Sequence, residues 1–214
     1  MDASFWLDKW QRNETGFHAA EPHAFLLRHF PAVNLVAGAH VFVPLCGKTV
    51  DIHWLLAQGF RVTGSELSQI AVESLFQDLG YKPEITLTDY GPCYSAGPLR
   101  VFVGDIFRLD ATSVGTVDAI YDRAALIALP RHMRQLYAAH VVQITHAARQ
   151  LLVCLDYDQT RRAGPPFSVD ERELRALYAG HYTLTELEAE AVPGGLKGIC
   201  PAQEVVWLLS PKRL

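Results

Sequence analysis

No stretch of this 214-residue chain approaches 18 uninterrupted apolar residues, so nothing in it reads as a membrane-spanning helix. The N-terminal run MDASFWLDKWQRNE has neither a basic leader nor an apolar core, and the expectation is a soluble, unprocessed protein. Cysteine is sparse. Cys46, Cys93, Cys154 and Cys200 stand far apart with no C-x-x-C pair, which argues against a zinc knuckle or a disulfide framework and suits a reducing cytoplasm. The nine histidines form neither H-x-x-x-H nor H-E-x-x-H, so no metal site is expected. An excess of positive charge is missing as well: 19 basic against 23 acidic residues give a net charge of −4, without the cationic field that nucleic acids or anionic membranes attract. Two glycine signatures are incomplete. Gly47, Lys48 and Thr49 look like the end of a P-loop, but Phe42 stands where that motif needs its first glycine. The same turn lacks the three glycines that let a pyrophosphate approach the backbone, so a smaller ligand fits better.

What is present is a nucleotide-binding half-unit between His40 and Ser68. An apolar strand from Val41 to Leu45 runs into a turn built on Gly47, a helix follows, Gly59 closes it, and a second strand ends on Glu66. In doubly wound sheets the ligand lies across the carboxyl ends of such strands, and an acid about 20 positions after the glycine turn bonds ribose hydroxyls. Glu66 lies 19 residues after Gly47. Taken alone, a single glycine after a strand fits an ordinary tight turn equally well.

The pattern then repeats. A helix is expected from Ser68 to Leu79 with Gly80 as its stop, a hairpin-like excursion from Glu84 to Gly97, and strands from Leu99 to Val103 and Val117 to Tyr121. Apolar spacing marks a helix between Arg131 and Ala148, which feeds the strand Gln150 to Leu155. Ser168 with Glu171 forms a capping-box pattern for a helix ending at Gly180. His181 to Glu188 and Gln203 to Leu209 read as a closing antiparallel hairpin. The expectation is one α/β domain over residues 1–214, with seven strands and no internal repeat, and a helical cap or lid over residues 1–38.

Several polar residues fall at strand ends. Asp105 and Asp122 fit helix N-caps and also fit a ligand site. Arg123 fits a partner for a neighbouring carboxylate and also a fixed cation at the carboxyl edge of the sheet. Phe5, Trp6, Trp10 and Phe17 lie at near-helical spacing, which suits a buried helix face or a wall that attracts a cation, with Gly16 as a hinge. Cys46, flanked by Leu45 and Gly47, has no local base and makes a poor thiol nucleophile.

Five ordered blocks, FWLDKWQRNETGFH, VPLCGKTVDIHWLLAQGFRVTGSELS, GDIF, YDRAALIALP and LDYDQTRRAGPPFSV, together resemble the thiopurine S-methyltransferase family over nearly the whole chain. The resemblance implies the class I fold of S-adenosylmethionine-dependent methyltransferases: a three-layer, doubly wound, mostly parallel seven-stranded sheet with an antiparallel last strand. It implies S-adenosylmethionine as methyl donor and a thiol of a thiopurine or other aromatic or heterocyclic compound as acceptor, with selenium and tellurium compounds as further acceptors associated with the family. Glu66 would accept hydrogen bonds from both ribose hydroxyls, and the Leu45 carbonyl would take the methionine amino group beside Gly47 and Leu67. Trp6 and Trp10 would close over the amino-acid end near the sulfonium cation, and Asp105 and Ile106 would hold the adenine. Phe17 would face the acceptor. Arg123 would belong, with Trp10, Leu45 and Glu66, to the principal cofactor-site positions. It would also sit near the acceptor sulfur, favouring its anion, with Asp122 beside it to take a proton from less acidic thiols. The resulting expectation is a cytoplasmic detoxifying transferase, monomeric, without metal, nucleic-acid or membrane partners. Two other readings share the fold, a non-catalytic sensor of the same cofactor and a nicotinamide-dependent oxidoreductase; the missing G-x-G-x-x-G speaks against the second.

Overall fold

A computed structural model of the chain describes residues 3–15 and 19–212. Gly16 and Phe17, expected as a hinge and an acceptor contact, lie outside the described residues. The strands are β1 (His40–Val43), β2 (Arg61–Glu66), β3 (Glu84–Leu87), β4 (Pro92–Ala96), β5 (Leu99–Val103), β6 (Ala119–Arg123), β7 (Arg149–Tyr157), β8 (Tyr182–Ala191) and β9 (Ala202–Pro211). They form one sheet in the order β3-β4-β5-β2-β1-β6-β7-β9-β8. The five central strands are mutually parallel, β9 runs antiparallel to β7 and β8, and β3 and β4 add an antiparallel hairpin at the other edge. All seven expected strands are present, and the sheet exceeds that count by the two strands of the hairpin. Every residue of β3 is exposed, so its pairing is carried by backbone hydrogen bonds and leaves little hydrophobic pattern in the sequence.

Helices cover both faces: α1 (Ala3–Gln11), α2 (Ala24–His29), α3 (Val50–Ala57), α4 (Gln69–Asp78), α5 (Ala111–Val114), α6 (Arg131–Ile144) and α7 (Glu171–Tyr178). Side chains alternate across a strand, so neighbours in one strand enter different cores. Phe42 joins the layer containing Val114, Tyr137 and Leu174, whereas Val41 and Val43 join the layer containing Phe25, Ile52 and Val72. With both faces buried, β1 is apolar from Val41 to Val43, after His40. Among the described residues, no helix is long and apolar enough to cross a membrane.

Local signals held at most helix ends. The Ser68 hydroxyl accepts the Ala71 N–H at 3.3 Å, and Gly80 ends that helix with φ 68°. The Ser168–Glu171 capping box does not form. Asp170 caps α7 instead, accepting the Glu173 N–H at 2.7 Å, because the Ser168 hydroxyl already accepts the Tyr157 N–H at 2.9 Å. The first 38 residues are also not a uniform cap. Phe25, Leu26, Phe30 and Val33 are buried in the core, which leaves α1 as the element lying over the carboxyl edge of the sheet.

Candidate active site

The chain runs outward from β1 to β2 and β5 and then returns to place β6 on the other side of β1. Adjacent loops therefore diverge at the carboxyl ends of β1 and β6, the crevice where open parallel sheets take their ligands. A cleft of about 810 Å³ opens there, a size suited to a nucleoside and a small aromatic together.

The β1 turn shapes its floor. Leu45 and Gly47 both adopt left-handed backbone, at φ 46° and 52°. A non-glycine residue at positive φ is an uncommon conformation that surrounding structure must enforce. Here the Cys46 N–H donates to the Ser65 carbonyl at 2.9 Å, pinning the turn to β2. A Cβ on Gly47 would meet the Trp10 ring at 3.2 Å, so glycine is what lets α1 lie directly on the turn. Trp6 lies one helical turn back and meets Phe5 edge to face, with ring centroids 5.2 Å apart.

Glu66 is buried, and its carboxylate is clamped by the backbone: one oxygen accepts the Gly47 N–H and the other the Ser68 N–H, each at 2.8 Å. Burial pushes its pKa upward, and the backbone donors oppose that shift. Each oxygen keeps accepting capacity beyond its one bond. Next along the edge, Asp105 accepts the Phe107 N–H at 3.1 Å while lining the cleft with Ile106, so the N-cap and ligand-site readings are compatible. The same dual outcome holds for Arg123. Its Nε donates to Asp51 at 2.7 Å and one terminal nitrogen to the Thr49 hydroxyl at 3.3 Å, yet it still faces the cleft. Burial works most strongly against the Arg123 charge, but Asp51, Tyr121 and Glu204 together outweigh it and the net pKa shift is upward.

Trp6, Trp10, Leu45, Gly47, Glu66, Leu67, Asp105, Ile106 and Arg123 thus converge on one cleft. Asp122 does not. Along β6 the pleat sends Tyr121 and Arg123 to one face, where both reach Asp51, and turns Asp122 to the other. Its carboxylate is fully buried, accepting the Tyr137 hydroxyl at 2.7 Å and the Leu126 N–H at 3.2 Å. The expectation that it stands beside the acceptor is corrected accordingly. Burial, reinforced by Glu66, drives the Cys46 thiol well above its ordinary pKa, which works against a thiolate there.

Asp51 is the residue that sequence reasoning passed over. It is 1% exposed and accepts from Arg123, from the Tyr121 hydroxyl at 3.0 Å and from the His23 N–H at 2.8 Å. In sequence it is one more acid in the first turn of a helix; only the fold shows what it holds. Glu204 on β9 also lines the cleft and pairs with His23 at 3.0 Å, which ties the segment before α2 to the last strand.

The sheet order, the carboxylate at the end of β2 and the cleft over β1 and β6 define the class I methyltransferase fold. A 1,6-didemethyltoxoflavin-N1-methyltransferase from Burkholderia thailandensis, solved with S-adenosylhomocysteine bound, superposes with TM-score 0.64 at 19% identity over 97% of this chain and 87% of that one. The sequence resolves the class further. The thiopurine S-methyltransferase family model matches residues 1–208, and the chain belongs to that family. Relatives named thiopurine S-methyltransferase include one from Gluconobacter oxydans, 54% identical over 98% of this chain and 96% of its own length. Another is from Xanthobacter autotrophicus, 53% identical over 98% and 99%.

Proposed function

We propose that this protein transfers a methyl group from S-adenosylmethionine to the sulfur of aromatic or heterocyclic thiols, thiopurines among them, as a monomer in the cytoplasm. Its buried free cysteines and net charge of −4 support a reducing compartment and a small-molecule substrate. The single observation that carries the chemistry is Arg123, a cation held by Asp51 and Thr49 at the β1/β6 crevice that faces the same cleft as the clamped Glu66.

The cleft fits the donor. Glu66 has accepting capacity left for two ribose hydroxyls, and the backbone bonds that fix it spare the ligand the cost of ordering it. Leu45 offers its carbonyl to an ammonium group, Gly47 and Leu67 flank it, Asp105 and Ile106 border the base, and Trp6 and Trp10 bring aromatic faces toward a cation. When bound, S-adenosylmethionine supplies the reactive methyl group. The protein supplies alignment and electrostatics. Arg123 favours the thiolate over the thiol, since a nearby fixed cation stabilises the anion. Heterocyclic thiols are already acidic, so no buried base is required, and Asp122 has no proton to take. Alignment of nucleophile and methyl group provides the remainder of the rate gain.

Incubation with S-adenosylmethionine and a panel of thiols, with a selenol included, tests this by mass spectrometry of S-methyl product and S-adenosylhomocysteine. Equal amounts of both are expected; donor binding without product from any acceptor would make the protein a sensor. Glu66→Ala should weaken donor binding by roughly ten-fold or more. Arg123→Ala should lower kcat/KM for thiols by about 10²-fold with donor affinity nearly kept. The opposite pattern would sink this division of roles.

A further inference from the structure

Most charged side chains of the cleft are already held by a partner. Lys9 pairs with Glu14, Lys48 with Asp78, Arg123 with Asp51, and Glu204 with His23. Glu66 and Asp105 lie at the donor end. Two cations remain. Among the described residues, Arg162 and Lys197 line the cleft with no carboxylate within ion-pair distance.

These two are presented on built loops. Arg162 follows β7, where the Gln159 side chain donates to its carbonyl and accepts the Ser168 N–H at 2.7 Å. Its Nε is shielded from solvent and has no hydrogen-bond acceptor. A desolvated donor without an acceptor is a standing cost, and an anion drawn to the same guanidinium from the cleft would offset it. Lys197 sits at φ 50° in the turn closed by the Leu196 N–H to the Cys200 carbonyl at 2.8 Å. The two loops are joined directly, because Arg161 donates to the Ile199 carbonyl at 3.2 Å. Around them the wall is apolar, with Ile127, Leu129, Met133, Leu155, Pro165 and Pro166. An apolar wall with two unmatched cations suits a flat hydrophobic body that carries a negative charge.

We propose that Arg162 and Lys197 form an anion-reading subsite at the acceptor end, and that the preferred acceptors are aromatic or heterocyclic thiols with a carboxylate or similar anionic substituent remote from the sulfur. This rests on the thiol methyltransferase reading, and it adds a second charge to the acceptor: Arg123 faces the thiolate while Arg162 and Lys197 face the substituent. A guanidinium suits the carboxylate because it presents paired donors to its two oxygens.

The test compares 4-mercaptobenzoate with its methyl ester, which keeps the electron withdrawal and loses the charge. The wild type should prefer the acid by about ten-fold in kcat/KM. Arg162→Gln and Lys197→Gln should each raise KM for the acid several-fold, leave the ester within about two-fold, and weaken the salt dependence of turnover. In parallel, calorimetric titration with 4-(methylthio)benzoate and with its methyl ester reads the subsite without turnover. The acid should bind the wild type more tightly than the ester, and Arg162→Gln should erase the difference. Equal turnover and equal binding of acid and ester by the wild type, or equal losses for both in the variants, would overturn the subsite. If neither thiol is methylated while the charged thioether still binds through Arg162, the subsite stands and the transferase reading fails.

Discussion

Asp122 and Arg123 are adjacent in the chain and work in different surroundings, and the consequence for pH is measurable. Asp122 is sealed in the core, where burial raises its pKa from 3.8 to about 6, opposed by its hydrogen bonds from Tyr137 and the backbone. A carboxyl whose folded pKa exceeds its unfolded value contributes stability that is fully present below the unfolded pKa and is lost as pH rises through the folded one. Ionising Asp122 therefore costs folding stability between about pH 4 and 6, by an amount on the order of 3 kcal/mol. Asp122→Asn should remove that slope, seen as urea unfolding midpoints that diverge from wild type across this window. It should also keep thiol turnover within several-fold, whereas loss of a working base would cost 10²-fold or more. The sequence placed both residues at a strand end and the resemblance set both beside the acceptor, which the structure corrects for Asp122. The two-residue repeat of a strand requires opposite faces for neighbours, and only the positions of Asp51 and Tyr137 show which face belongs to the cleft.

At the scale of elements, the unit from β1 through α3 to β2 was readable in advance because each local signal agrees: an apolar strand, a turn glycine, Gly59 closing the helix and a carboxylate at the end of β2. The helix start at α7 was misplaced because a hydroxyl can cap a helix or serve a strand, and Ser168 serves β7. The edge hairpin was legible as a hairpin-like excursion but not as two further strands of the sheet, since exposed β3 leaves Ile85 and Leu87 in solvent. The N-terminal segment read as one cap and is two objects. Phe25→Ala in α2 should cost about 3–5 kcal/mol of stability, the usual penalty for emptying a buried aromatic site. Trp6→Ala in α1 should leave stability within about 1 kcal/mol and weaken donor binding several-fold, through loss of an aromatic face beside a cation. Denaturant unfolding and donor titration of the two variants separate these outcomes, and equal destabilisation would mean that α1 too belongs to the core.

For the whole molecule, the crevice position followed from strand order alone, and Glu66 with it. Arg162 and Lys197 were not recoverable, because 35 positions separate them in the chain and their meeting at one wall depends on β8 and β9 folding back along β7. Strand β9 is the element that makes this possible: it lies between β7 and β8 and bonds to both. A chain ending at residue 201 should therefore fail to show a cooperative urea transition, since β8 loses its partner and β7 is left with an open edge. A sharp two-state transition in that fragment would show that the rest of the sheet is self-sufficient.

The interior place of the last strand also sets an order of events during protein synthesis. Translation proceeds from the N-terminal side, so β8 is synthesised before the strand it pairs with. His23, made near the beginning, waits for Glu204, made near the end. The cleft is thus completed only once β9 has been made, and a nascent chain stalled before β9 would carry the donor-site turn without a finished wall for the acceptor.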